Sequence, residues 1–182
     1  MKPWLVKNSR TVVDRRWLRV HEQHITLPHG GEIGEFHLIE APDWAAVVAT
    51  TDEGQVVFVE QYRHGATRAS LELPAGVIDS GESASDAARR ELLEETGYAA
   101  DHVEPLLTVN TEPSRHTNRA HFYVARGARL VASQNVDPSE NIRVVLLEPD
   151  EIMGAIERGD ILHGVHVGAL LLAAHRGFLK LG

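Results

Sequence analysis

The stretch from Gly76 to Tyr98, GVIDSGESASDAARRELLEETGY, constrains the chain more than any other part of it. Ser83 and Asp86 form a Ser-x-x-Asp capping box and Gly97 a helix stop, which predicts a helix of about three to four turns over residues 84–96. On that helix Glu91, Glu94 and Glu95 stand at i, i+3 and i+4, so their carboxylates share one face and repel. A solvated acidic face would account for the charges alone. It does not account for the glycines at both ends, nor for Ala87-Ala88 and Leu92-Leu93, which bind the same helix into a core. The crowding of the acids is sensible if a hard divalent cation sits among them, since Mg²⁺ takes oxygen ligands and completes its shell with substrate phosphates and water. Arg90 stands where it can orient or neutralise one of these acids.

Composition sets the outer bounds. The 182 residues are 43% hydrophobic and 24% charged, which suits an ordinary globular chain with one full core and a small addition. A net charge of -8 and a pI near 5.7, with no Lys/Arg cluster, argue against a nucleic-acid partner, whereas a small diphosphate remains accessible if a metal supplies the positive charge. There is no cysteine, hence neither a disulfide framework nor a thiolate metal site. No N-terminal apolar run and no apolar stretch of about twenty residues occurs, so the expectation is a cytoplasmic protein with no membrane partner.

A seam is expected near Ala41-Pro42-Asp43, dividing residues 1–42 from residues 43–182. Before it, Trp17–Leu27 and Ile33–Ile39 read as strands around the turn Pro28-His29-Gly30-Gly31, with Ser9–Val13 as a third. A sheet of roughly 40 residues does not easily stand alone, so it needs the main domain or a second subunit to lie on. After the seam, Ala45–Thr50 and Gln55–Gln61 read as a hairpin around Thr51-Asp52-Glu53-Gly54. Strands follow the acidic helix near Val103–Asn110, His121–Ala125 and Ile142–Leu147, and helices close the chain at Pro149–Arg158 and His166–Phe178. Strands and helices mixed in this order give an α+β fold or an α/β/α sandwich.

The spacing Gly76, Glu82, Arg90-Glu91-Leu92, Glu94-Glu95, Gly97-Tyr98 resembles the Nudix box of the Nudix hydrolases at every defining position. The resemblance implies the α/β/α sandwich, with the residues 1–42 sheet added for dimerisation and contacts to the substrate base. It also implies a metal site built from Glu82, Glu91, Glu94, Glu95 and the backbone carbonyl of Ala75, in Leu71-Glu72-Leu73-Pro74-Ala75-Gly76. Together with Gln61-Tyr62-Arg63, that segment is similar to the ADP-ribose and nucleoside-diphosphate-sugar pyrophosphatase branch. Arg63 is suited to bidentate binding of a diphosphate; a surface salt bridge is its other reading.

A proline about sixteen residues beyond Gly97 marks the same branch, and Pro113 stands there. The branch often continues with Pro-Gly and an acid, whereas this chain reads Pro113-Ser114-Arg115-His116-Thr117-Asn118-Arg119. Arg115, His116, Asn118 and Arg119 offer donors suited to a different sugar or phosphate, such as a hexose carried on GDP, and Arg115, Asn118 and Arg119, with Pro113, are the candidate substrate-binding residues. Glu140, in the loop Asp137-Pro138-Ser139-Glu140-Asn141, matches the branch's general base or an additional metal ligand. If Glu140 only supports metal, a box glutamate such as Glu94 must activate the water.

The expected activity is Mg²⁺-dependent hydrolysis, with Mn²⁺ as a substitute, of a nucleoside diphosphate sugar to a nucleoside monophosphate and a sugar phosphate by a homodimer. The alternatives are a nucleoside triphosphate sanitiser, which needs no N-terminal sheet, and an ADP-ribose-sensing module, which predicts a decayed box. Of the 11 histidines, the spacing His163-x-x-His166 is by itself poor evidence for a metal, and an oxygen-rich site already explains one. Trp4, Trp17 and Trp44 read as core or interface anchors.

Overall fold

The computed structural model describes residues 1–137 and 140–182. The chain forms two compact units, Met1–Asp43 with Asn110–Arg119 and Trp44–Val109 with Ala120–Gly182. The first is an antiparallel meander of β1 (Leu5–Arg15), β2 (Leu18–Thr26) and β3 (Glu32–Glu40). β1 is longer than the expected Ser9–Val13, and its pairing with β2 shifts register between Val6 and Asn8 and again between Thr11 and Val13. Gly30 turns β2 into β3 at a φ of +89°, which a side chain resists, and Leu27 N–H closes the turn on Gly31 O at 2.7 Å. Charged rungs cross the sheet directly: Arg10 opposite Glu22, and Arg19 between Asp14 and Glu40. They are exposed, so they favour register more than stability.

Residues 110–119, read in sequence with the second segment, belong to the first unit. Ile39 N–H donates to Arg115 O at 2.8 Å and Thr117 N–H to Ile39 O at 3.0 Å, so this loop adds a short parallel bridge at Ile39 and His116.

The second unit contains β4 (Trp44–Thr51), β5 (Val56–Arg63), a 3-10 turn at His64–Ala66, β6 (Arg68–Glu72), β7 (Ala75–Val77), α1 (Ala84–Thr96) and β8 (Tyr98–Ala99). There follow β9 (Val103–Asn110), β10 (Arg119–Leu130), β11 (Ile142–Leu147), α2 (Glu151–Glu157) and α3 (Gly164–His175). The sheet runs β11-β5-β4-β10-β8, with β4 and β10 parallel. β4 is buried along nearly its whole length because helices cover both faces. Ala46 and Val48 pack with Ile152, Ala155, Ala169 and Leu170 of α2 and α3. The alternate residues Ala45, Val47 and Ala49 pack with Ala87, Ala88 and Leu92 of α1. That two-sided alternation is the expected α/β/α sandwich.

β4 and β5 pair at Thr50 and Val56 beside their turn and then diverge. The next segment fills the gap between them: β6 pairs with β5 as far as Glu72, and β7 pairs with β4 from Ala75. Leu73 and Pro74 are the point of transfer. β10 runs past the expected end at Ala125 because Gly127, at φ +64°, makes an irregularity between Ala125 and Ala128 that hides the alternation. No helix among the described residues is long and apolar enough to cross a membrane.

Candidate active site

α1 begins and ends as its caps dictate. Ser83 Oγ accepts from Asp86 N–H at 3.2 Å, and Gly97, at φ +75°, returns its N–H to Leu93 O at 2.8 Å. A Cβ on Gly97 would collide with the Ala132 carbonyl, so the stop is steric as well as conformational. The cap fixes the rotation of the helix, and thereby the direction of its acids.

Arg90 is the hub of the site. Its Nε donates to Glu82 Oε1 at 2.9 Å and its Nη2 to Glu82 Oε2 and Val77 O, both at 3.0 Å. Nη1 reaches Glu91 Oε1 at 2.6 Å and Glu94 Oε2 at 3.0 Å, so all five guanidinium donors are engaged. Arg90 is held more firmly protonated than usual, first by Glu82, and Glu82 is lowered in return.

The other acids sit under the β6–β7 turn. Glu95 is 3% exposed and its Oε2 accepts the Ala75 N–H at 2.9 Å. Ala75 thus holds a box acid through its amide, in addition to the metal-ligand role expected of its carbonyl. Glu91 packs against Gly76, where a Cβ would overlap its carboxylate, so this glycine is required for room. Burial pushes Glu95 up to about 8; the Ala75 amide opposes this, and the charges of Glu91 and Glu140 add to it. Glu91 is also raised, by burial first, with Arg90 opposing and Glu94 and Glu140 adding. Glu140 therefore acts electrostatically on both box acids. Its own carboxylate accepts the Asp137 N–H at 3.0 Å, while Pro138 and Ser139 of the same loop lie outside the described residues.

Among the described residues no three His, Asp or Glu side chains converge as a ready cage. Glu82, Glu91 and Glu94 gather about the Arg90 guanidinium and Glu95 is held by the Ala75 amide, each acid taking a donor within reach. The residues nevertheless suit a divalent cation. Glu91 and Glu95 are hard oxygen donors made costly by burial, and among the described residues no Lys or Arg bonds to Glu95. A cation there would restore the charged form of both.

Arg63 is neither a free fork nor a surface pair. Its Nε and Nη2 clamp Glu72 at 2.7 and 2.5 Å, and Glu72 is 2% exposed. Sequence reasoning missed Glu72; an acid between Leu71 and Leu73 reads as the outward residue of a strand, and only Arg63 on the neighbouring strand signals otherwise.

The other substrate candidates lie in the first unit. Asn118 is buried, accepting from Thr111 Oγ1 at 2.9 Å and donating to Pro42 O at 3.2 Å, so one donor and one acceptor site of its amide already serve the fold. Arg115 holds its guanidinium 5.8 Å from the Phe36 ring. Arg119 uses its backbone N–H on Asp43 at 2.7 Å, and its side chain is exposed. Pro113 is exposed in a turn in which Glu112 O accepts from the Arg115 and His116 amides.

The sequence model of the NUDIX domain matches residues 41–165. The chain belongs to the Nudix hydrolase family. A second family model, described as the nucleoside diphosphate sugar hydrolase N-terminal domain, matches residues 4–39, the stretch of β1–β3. The Nudix chain is 32% identical over 150 residues to the methanol dehydrogenase activator of Bacillus methanolicus, spanning 82% of this chain and 80% of that protein. It is 30% identical over 166 residues to the ADP-ribose pyrophosphatase of Mycobacterium tuberculosis, spanning 90% and 80%. A crystal structure described as ADP compounds hydrolase superposes with a TM-score of 0.85 over 98% of each chain at 23% identity, which shows a common fold.

Proposed function

We infer that this Nudix enzyme hydrolyses the diphosphate bond of a nucleoside diphosphate sugar, giving a nucleoside monophosphate and a sugar phosphate. The observation that carries the reading is the pair Glu91 and Glu95, two box carboxylates set under one backbone turn, Glu95 buried on the Ala75 amide and Glu91 packed against Gly76. The match of residues 4–39 to the N-terminal domain of nucleoside diphosphate sugar hydrolases supports the substrate class, as does the similarity to an ADP-ribose pyrophosphatase. ADP-ribose, an ADP-sugar and GDP-mannose are the leading substrates.

Glu91 and Glu95, aided by Glu82 and Glu94, would hold Mg²⁺ or Mn²⁺. Bound there, the cation supplies positive charge for the oxygens that become more negative in the transition state and makes a water more acidic. Arg90, bonded to Glu82, Glu91 and Glu94 at once, limits how far these acids must move to receive a cation. Glu140 takes the proton of the attacking water, with Glu94 as the alternative base. Arg63, fixed by Glu72 yet 45% exposed in its side chain, offers charge to the diphosphate. Pro113, Arg115 and Arg119 are the candidates for reading base or sugar.

The active form we propose is a homodimer. Trp4, Leu5, Val6, Val12, Trp17 and Leu18 are all exposed on the small sheet, and a second copy is the commonest cover for such a surface. The chain has no cysteine and its proposed substrate is a nucleotide, both of which fit the cytoplasm.

The test is a panel of ADP-ribose, GDP-mannose, UDP-glucose and a nucleoside triphosphate, each with Mg²⁺ and with Mn²⁺, products separated by chromatography. Turnover of a diphosphate sugar to the two monophosphates is expected. Turnover confined to the triphosphate would establish a sanitising enzyme, and binding of ADP-ribose without turnover a sensing module.

A further inference from the structure

The transfer of the chain from β5 to β4 leaves a backbone group to satisfy. Leu73 is 1% exposed and lies between the two ladders, and a buried N–H with no acceptor is costly. Its acceptor is a side chain: Leu73 N–H donates to Nδ1 of His166, in α3, at 3.1 Å. The linker before α3 already holds this strand. Leu71 N–H donates to Asp160 O at 2.8 Å and Leu162 N–H to Ser70 Oγ at 3.2 Å.

His166 has little freedom. It is 1% exposed, meets Phe122 edge-on at 5.6 Å and Trp44 at 5.5 Å, and stacks on His163 at 4.6 Å with 6° between the rings. The His163-x-x-His166 spacing is thus a stacked pair with one nitrogen committed to the backbone.

We propose that His166 is a positioning residue for the Leu73–Ala75 turn, its neutral imidazole standing where a strand partner would stand. Because Nδ1 accepts, the ring proton resides on Nε2. Two residues along the turn, Ala75 N–H fixes Glu95, and the next residue, Gly76, packs on Glu91. His166 therefore reaches the box acids through the backbone and touches no reacting atom. Burial first, then the charges of His163 and Arg63, keep the ring well below the ordinary histidine range; Glu72 also acts on His163, in the opposite sense to Arg63. The functional half of the inference rests on the proposed metal-dependent diphosphatase reading; the geometric half does not.

Nitrogen-15 NMR of the intact protein at pH 7 is expected to show His166 with an unprotonated Nδ1 and a protonated Nε2, and a slowly exchanging Leu73 amide. A protonated Nδ1 would overturn the proposal. His166→Leu should weaken Mn²⁺ binding in a calorimetric titration and lower kcat, each roughly 10–100-fold, as for other residues that orient a metal ligand, with KM nearly unchanged. His166→Asn, which returns an acceptor near the Nδ1 position, should recover most of both. Wild-type Mn²⁺ affinity and kcat in a folded His166→Leu, or equal losses in folded Leu and Asn variants, would refute the role. If His166→Leu does not fold, the tautomer and the Asn variant decide. The tautomer and Mn²⁺ readouts use no substrate, so an error in the substrate assignment is distinguishable from an error here.

Discussion

Glu95→Gln should stabilise the metal-free protein while abolishing turnover. The buried carboxyl holds its proton up to about pH 8, against an ordinary value of 4.5, so over that interval the folded chain binds a proton that the unfolded chain has released. Stability therefore falls as pH rises from about 4.5 to about 8 and is level above. At about 1.36 kcal/mol per pH unit, the loss accumulated at pH 7 is on the order of 3 kcal/mol, an upper bound set by full burial. Glutamine carries no proton to lose and keeps an oxygen for the Ala75 amide. Melts in EDTA at pH 5, 6, 7 and 8 should show the variant gaining on wild type as pH rises, by roughly 6–12 °C at pH 7. Adding Mg²⁺ or Mn²⁺ should raise the wild type and leave the variant nearly unmoved, narrowing or inverting the order. A variant that melts below wild type at pH 7–8 without metal, or a difference that does not change with pH, would refute the argument that Glu95 is an uncompensated buried acid.

Four further outcomes follow from the geometry. Gly76→Ala should fold yet lose about 100-fold in kcat, measured by chromatography of the nucleoside monophosphate formed, because the new methyl displaces the Glu91 carboxylate. Arg63→Ala leaves Glu72 buried without its clamp and should cost about 1–3 kcal/mol in urea unfolding, below the range for fully buried pairs because Arg63 is half exposed. Glu140→Gln should lower kcat by about 10²–10⁴-fold with Mn²⁺ affinity nearly retained; equal loss of both would make it a ligand and not the base. Light scattering at micromolar concentration should give a dimer, and a species near the 20.1 kDa of one chain would exclude it.

The parts of this fold that are legible in the sequence are local. Ser83 and Gly97 delimit α1 because capping is settled within four residues, and the β4–β5 turn is written in Thr51-Asp52-Glu53-Gly54. The burial of β4 on two faces appears as an apolar run for the same reason. What escapes is chemistry between residues distant in the chain. Arg63 with Glu72, Leu73 with His166, and Asn118 with Pro42 are each a polar group meeting a backbone or charge that no periodicity announces. β8, two residues long, has no pattern to detect, and Gly127 conceals the second half of β10. At the box, spacing showed which acids share a helix face, but the distribution of donors among them depended on Arg90, whose five bonds include one to the carbonyl of Val77.

The stitching of residues 110–119 to β3 bears on how enzymes of this architecture can be recombined. A designer who transplants the small sheet from a relative, cutting at the Ala41–Asp43 seam, would carry across only part of a compact unit. The donor's β3 would meet a foreign loop at Ile39, where two main-chain bonds are independent of side-chain identity, and at Pro42, where the Asn118 amide is not. Such a chimera should thus tolerate exchange at position 115 or 116 far better than at 118. A faithful graft takes two pieces of chain, and drift in one constrains the other across the intervening residues 44–109.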